Sequence, residues 1–156
     1  MEKAFNIFDK IIRTILLLLC IGLVVVGSMQ IIWRYALKES LMWSEEMIRF
    51  LFVFTTFIGA PVGVLEGKHA AVDLLIQTMP EKYKKKYTFI IHIFIGVVFA
   101  FLFIVGFKYA ISSGNYTSPA MQIPMTYVLM AVPFGGAIGL IYWAKHMVDI
   151  VKGGVK

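Results

Sequence analysis

Trp43-Ser44-Glu45-Glu46, with Arg49 after it, places a hydroxyl, two carboxylates and a guanidinium beside a long apolar run. Such a set can serve its own helix. Ser44 would be the N-cap, the acids would favour the positive end of the helix dipole, and Arg49 would pair with Glu45 at i,i+4. It can also anchor one helix to another, in this chain or in a neighbour, with Arg34 and Tyr35 from the end of the preceding apolar run joining the cluster. An arginine one turn inside a membrane helix is costly without a partner. We therefore expect at least one of the two acids to link helices rather than only to cap its own.

The remaining candidates are weaker in chemistry. Gly59-Ala60-Pro61-Val62-Gly63 and Gly135-Gly136-Ala137-Ile138-Gly139 each contain Gly-x-x-x-Gly, a spacing that lets helix backbones approach closely where lipid offers no hydrophobic drive for association. The sharper alternative is a pair of broken helices around a solute site, as in secondary transporters. No Asp or Glu lies in the centre of any apolar run, whereas a self-sufficient proton-coupled carrier usually needs one. His92 lies inside the third run, His146 just past the fourth and His69 in a connection, an arrangement that argues against haem ligation. No zinc spacing, phosphate loop or nucleophile triad is present, so we expect neither cofactor nor enzymatic activity. Cys20 stands alone inside the first run and has no partner for an intramolecular disulfide.

The elements that must position these residues are membrane helices. Four apolar stretches, residues 14–33, 44–65, 87–107 and 125–144, take up more than half of the 156 residues, and hydrophobic residues make up 60% of the chain. At 1.5 Å of rise per residue, about 20 residues cross a hydrocarbon core of about 30 Å. The expected fold class is an all-α integral membrane protein of one domain, with four transmembrane helices. Two connections mix apolar and polar residues at helical spacing, Arg34 to Glu46 and His69 to Tyr83, and suit amphipathic arm helices parallel to the membrane.

The net charge of +6 does not point to nucleic acid, because the charges are sorted by membrane side. Eleven of the fifteen Lys and Arg residues fall in the N-terminal segment, the middle connection and the C-terminal tail; the others, Arg34, Lys38, Arg49 and Lys108, flank the two remaining connections. The positive-inside rule then puts both termini and the middle connection in the cytoplasm, where the basic residues would touch anionic phospholipid.

On these residues the chain resembles the small membrane subunit of tripartite ATP-independent periplasmic (TRAP) transporters, the DctQ-like proteins. The resemblance runs nearly end to end. It is carried by Arg34-Tyr35, by Trp43-Ser44-Glu45-Glu46 with Arg49, and by Gly67-Lys68-His69 leading to Val72-Asp73-Leu74-Leu75. Ser118-Pro119-Ala120, Ile123-Pro124-Met125, Pro133 and Gly135 complete it. The resemblance implies a bacterial inner-membrane protein that is a non-catalytic scaffold for a large membrane subunit holding the sodium and substrate sites. A periplasmic binding protein would deliver a carboxylate, of the C4-dicarboxylate or sialic acid type. Arg34, Tyr35, Trp43, Ser44, Glu45, Glu46, Arg49, His69 and Asp73 become candidate interface or structural residues, with Gly59, Gly63, Gly135 and Gly139 as packing positions. An autonomous dimeric transporter and a haem-binding electron-transfer subunit are the alternatives from other classes.

Overall fold

A computed structural model describes residues 2–36, 38, 41–65 and 81–151. The helices are α1 (Glu2–Ala36), α2 (Met42–Leu65), α3 (Glu81–Ser112), α4 (Met125–Leu129) and α5 (Ala131–Val151). Four stretches are long and apolar enough to cross a membrane, the fourth formed by α4 and α5 together. Pro133 accounts for the split. It has no N–H and its ring crowds the Leu129 carbonyl, so the α-helical ladder loses a bond there. The chain instead pivots at Met130, whose N–H donates to the Thr126 carbonyl at 2.9 Å and whose own carbonyl accepts from Phe134 at 3.1 Å.

Two helices outrun the bilayer. The 35 residues of α1 and the 32 of α3 extend to about 50 Å at 1.5 Å per residue, against a hydrocarbon core of about 30 Å. The polar segment before Thr14 is thus the first part of α1 itself, and it carries Asp9, Lys10 and Arg13 past the span. The arm expected over Arg34 to Glu46 is divided between the end of α1 and the start of α2. The arm expected over His69 to Tyr83 lies, up to Pro80, outside the described residues.

The closest packing runs in the order α1 on α2, α2 on α5, and α5 on α3, and side chains near the N-terminus of α1 also reach Tyr142 of α5. Among the described residues no backbone approach joins α2 to α3, although they follow one another in the chain. The centre falls to α5 because it has small residues on both sides. A methyl group on Gly135 would overlap the carbonyl oxygen of Phe57 in α2, and one on Gly136 would come within 2.6 Å of the Phe103 amide nitrogen in α3. Gly139 lies against the ring of Phe99, also in α3. The contact at Gly135 has a cause in α2. Pro61 supplies no N–H to Phe57, four residues earlier, and the carbonyl thus released from the helical ladder faces the bare Cα of Gly135.

The two glycine pairs therefore differ. Gly135 and Gly139 meet different helices. Gly59 has only Leu16 of α1 near it, at 3.6 Å, and Gly63 has nothing within 4 Å of where a Cβ would stand. Close packing is a property of α5 and not of the Gly59–Gly63 stretch.

The buried core is small and sits toward the end that carries both termini: Ile12, Ile58, Val62, Ile138 and Tyr142, flanked by Phe5, Phe8, Leu16, Leu19 and Phe54. None of the residues in the most apolar window of α1 is fully buried. In lipid this is no penalty, since a hydrocarbon chain solvates leucine as well as a neighbouring helix does.

Candidate functional site

The polar cluster at the start of α2 is assembled by two segments far apart in sequence. α2 begins at Met42, so Ser44 is already in its first turn and is not the N-cap. Its N–H and hydroxyl both donate to the Leu41 carbonyl, at 3.0 and 2.7 Å, and the residue is fully buried. Glu46, two residues on, is 8% exposed. Its Oε1 accepts from the Ala120 N–H and its Oε2 from the Met121 N–H, each at 2.9 Å.

The loop between α3 and α4 is shaped to present those two amides. Ser118 is its hub: its N–H donates to the Ile123 carbonyl at 2.9 Å, its carbonyl accepts from Gln122 at 3.1 Å, and its hydroxyl accepts from the Ile123 N–H at 3.2 Å. Gln122 takes a left-handed conformation, φ 53°, which turns the chain back, and its side-chain amide donates to the Pro119 carbonyl at 3.0 Å. Met125 N–H donates to the Tyr116 carbonyl at 2.8 Å and closes the loop onto α4. The N–H groups of residues 120 and 121, left over by this internal network, point outward together and are held by one carboxylate.

Glu45 and Arg49 face elsewhere. They form an i,i+4 pair at 4.0 Å on the exposed side of α2, with side chains 43% and 75% exposed. Trp43 is partly exposed and Tyr35 is 80% exposed. Arg34 is exposed at the end of α1, and among the described residues no ion pair joins it to Glu45 or Glu46. The cluster thus separates into an internal link through Glu46 and an outward pair. His69 and Asp73 lie outside the described residues.

A second polar link closes the opposite end of the row, and the sequence reasoning missed it. Tyr142 of α5, 1% exposed, donates its hydroxyl to Asp9 Oδ1 of α1 at 3.0 Å, while Arg13 holds Oδ2 at 2.9 Å. The rings of Phe5 and Phe8 meet Tyr142 edge-on at 5.5 and 5.8 Å, and Lys145 Nζ stands 3.6 Å from the Phe5 ring centroid. The available signal was Asp9 itself, an acid in an otherwise basic segment, one helical turn before Arg13.

His92 and His146 correct an expectation of separate depths. Their rings stack at 4.6 Å with planes 20° apart, because α5 continues past the apolar stretch and brings His146 level with His92. Beside them the Trp143 indole lies over Gly96 and donates to the His92 carbonyl at 2.6 Å. Nitrogen lone pairs lie in the ring planes, so stacked imidazoles do not aim at a shared atom between them, and no macrocycle fits in a 4.6 Å gap. Among the described residues no three His, Cys, Asp or Glu side chains gather as a metal set.

Two surface depressions are walled almost wholly by hydrocarbon. One, of about 310 Å³, runs along Ile7, Lys10, Ile11, Thr14 and Ile15; the other, of about 160 Å³, lies between Phe103, Phe107, Met130, Pro133, Phe134 and Ala137. Neither gathers the converging polar groups that orient a solute.

Comparison with known proteins agrees with this picture. Residues 23–153 match the family of tripartite ATP-independent periplasmic transporters, DctQ component. The chain is 21% identical, over 97% of its length and 86% of the relative's, to the sialic acid TRAP transporter small permease protein SiaQ of Vibrio cholerae. It is 28% identical to the C4-dicarboxylate TRAP transporter small permease protein DctQ of Rhodobacter capsulatus, over 64% of this chain and 44% of that one. A stretch of 56 residues, 36% of this chain, is 39% identical to 9% of the sialic acid TRAP transporter permease protein SiaT of Haemophilus influenzae.

Proposed function

Because the chain belongs to the DctQ-component family of tripartite ATP-independent periplasmic transporters, we propose that it is the rigid, non-catalytic small subunit beside which a large permease carries solute and sodium. The observation that carries this reading is that Glu46 and Tyr142, at opposite ends of the spans, are used for internal fastening. Glu46 is spent on two backbone amides and Tyr142 on Asp9. The hydroxyls of Thr55 and Thr56 return to their own helix. A protein that moved solute itself would need some of these groups turned toward a cavity.

The partner is a multi-span permease. The similarity of part of this chain to a small fraction of the longer permease SiaT supports it, since there a small-subunit-like segment and a larger permease share one chain. The solute is a carboxylate, because sialic acid and C4-dicarboxylates, named for two relatives, share that group. A periplasmic binding protein delivers it to the loop between α3 and α4, and the ends bearing both termini face the cytoplasm with their basic residues on anionic phospholipid.

The test is uptake in a strain lacking this chain. Labelled sialic acid and labelled succinate are each offered with and without a sodium gradient, and the tagged chain is purified to identify what accompanies it. We expect sodium-dependent uptake of one carboxylate to require the chain, and a large permease to co-purify. Solute movement by the purified chain alone in liposomes would overturn the reading.

A further inference from the structure

We propose that one face of α2, bearing Glu45, Arg49, Phe52, Thr56, Ala60 and Gly63, receives a transmembrane helix of the partner permease, and that this helix offers an oxygen acceptor to Arg49. The proposal rests on the small-subunit reading above and adds the docking face and its chemistry.

The other sides of α2 are occupied. α1 lies against Leu51 and Gly59, since a Cβ placed on Gly22 of α1 would stand 3.6 Å from Leu51 and one placed on Gly59 would stand 3.6 Å from Leu16 of α1; α5 lies against Phe57; and Glu46 holds the loop. At about 100° per residue, the six named residues fall on one stripe less than a quarter-turn wide. All six are exposed or partly exposed, Phe52 at 61%.

Charge tells this stripe apart from ordinary lipid-facing surface. The span containing α2 begins at Met42, so at 1.5 Å per residue Arg49 lies about 10 Å along the axis from that end. A guanidinium there has five donors to satisfy. Glu45 stands at 4.0 Å, the outer limit of an ion pair, and both side chains are open to the outside. Thr56 makes no further demand, since its hydroxyl donates to the Phe52 carbonyl at 2.8 Å. The stripe therefore asks for oxygen acceptors at one level and little else.

Below that level the side chains shrink to Thr56, Ala60 and Gly63, and among the described residues nothing lies within 4 Å of a Cβ at Gly63. A second helix can come close along such a surface. A lipid phosphate reached by Arg49 is the competing occupant, but acyl chains are fluid and would not register the size of residue 63. The exposed faces of α1 and α3 are lined by apolar residues such as Leu17, Val24, Phe94 and Ile104, and the cations they carry toward this side, Arg34 and Lys108, stand nearer their helix ends than Arg49 does.

The experiment co-expresses the full chain, tagged, with its large permease, and measures permease recovered in mild detergent. The variants are Gly63→Leu, Arg49→Ala, Arg49→Lys and, on α3, Phe101→Leu. Thermal melting of the tagged chain alone checks its own fold. Gly63→Leu should melt like wild type and recover about tenfold less permease. Arg49→Ala should lose as much, Arg49→Lys should lose less, and Phe101→Leu should lose nothing. Full recovery from Gly63→Leu overturns the docking face, and a loss confined to Arg49→Ala assigns that residue to lipid phosphate instead. Absence of permease from the wild-type pull-down sinks the subunit reading itself, and the face with it.

Discussion

Glu45 and Glu46 are neighbours in sequence and lie about 100° apart around a helix, and that rotation gives them separate roles. The cost of placing charge near a membrane leads to the expectation that one acid links helices, whereas Glu46 holds the loop between α3 and α4. That partner was not legible. Ala120 and Met121 contribute backbone N–H groups, which every residue but proline has, from more than seventy positions away. No side-chain pattern can signal them. Replacing one acceptor oxygen by a donor NH2 in Glu46→Gln sets donor against donor. We expect a loss of about 1–3 kcal/mol, with faster hydrogen exchange at Ala120 and Met121; Glu45→Gln should leave those two amides unchanged. Unaltered exchange in Glu46→Gln would mean the loop holds its shape without the carboxylate. At the other end, Tyr142→Phe keeps the buried ring and deletes one donor to Asp9, which Arg13 still holds. Its cost should be about 0.5–1.5 kcal/mol in a detergent melt, well below that of Tyr142→Ala, which also empties the site between Phe5 and Phe8.

At the scale of helices, the two Gly-x-x-x-Gly sequences read alike and behave differently, because the deciding factor is which neighbour stands opposite. Gly135 faces a backbone carbonyl that Pro61 has detached from its own ladder, and backbone cannot rotate away. Gly139 faces the ring of Phe99, which can shift, and Gly63 faces open space. Alanine substitutions should follow that order. Gly135→Ala should cost about 1–3 kcal/mol through overpacking and Gly139→Ala less. Gly63→Ala should be neutral or gain about 0.5–1 kcal/mol, because alanine suits a helix interior better than glycine. Melting temperatures in one detergent would rank them, and a Gly63→Ala penalty as large as that of Gly135→Ala would defeat the packing account. Helix lengths were also only half legible. Hydropathy marks where lipid begins, but backbone hydrogen bonding continues through Glu2 to Arg13 and on to Val151, so residues such as His146 stand where a hydropathy ruler does not put them.

For the whole molecule, composition sufficed to establish four spans, and the sorting of Lys and Arg predicts which way they run. A cysteine at Tyr116, 68% exposed in the α3–α4 loop, should react with an impermeant thiol reagent in spheroplasts of a Cys20→Ala background. One at Asn6, in the protruding start of α1, should react only after lysis. The reverse pattern would invert the orientation and remove the loop from the binding protein's side. The neighbour order of the spans was not legible, since packing against α5 depends on three glycines whose partners only the fold reveals. That order also bears on how the protein is made. Helices leave the ribosome in the sequence α1, α2, α3, α5, yet α5 stands between the second and third. The α1–α2 pair can form early, whereas α3, among the described residues, finds its neighbouring span only once α5 has been made and joins the two halves.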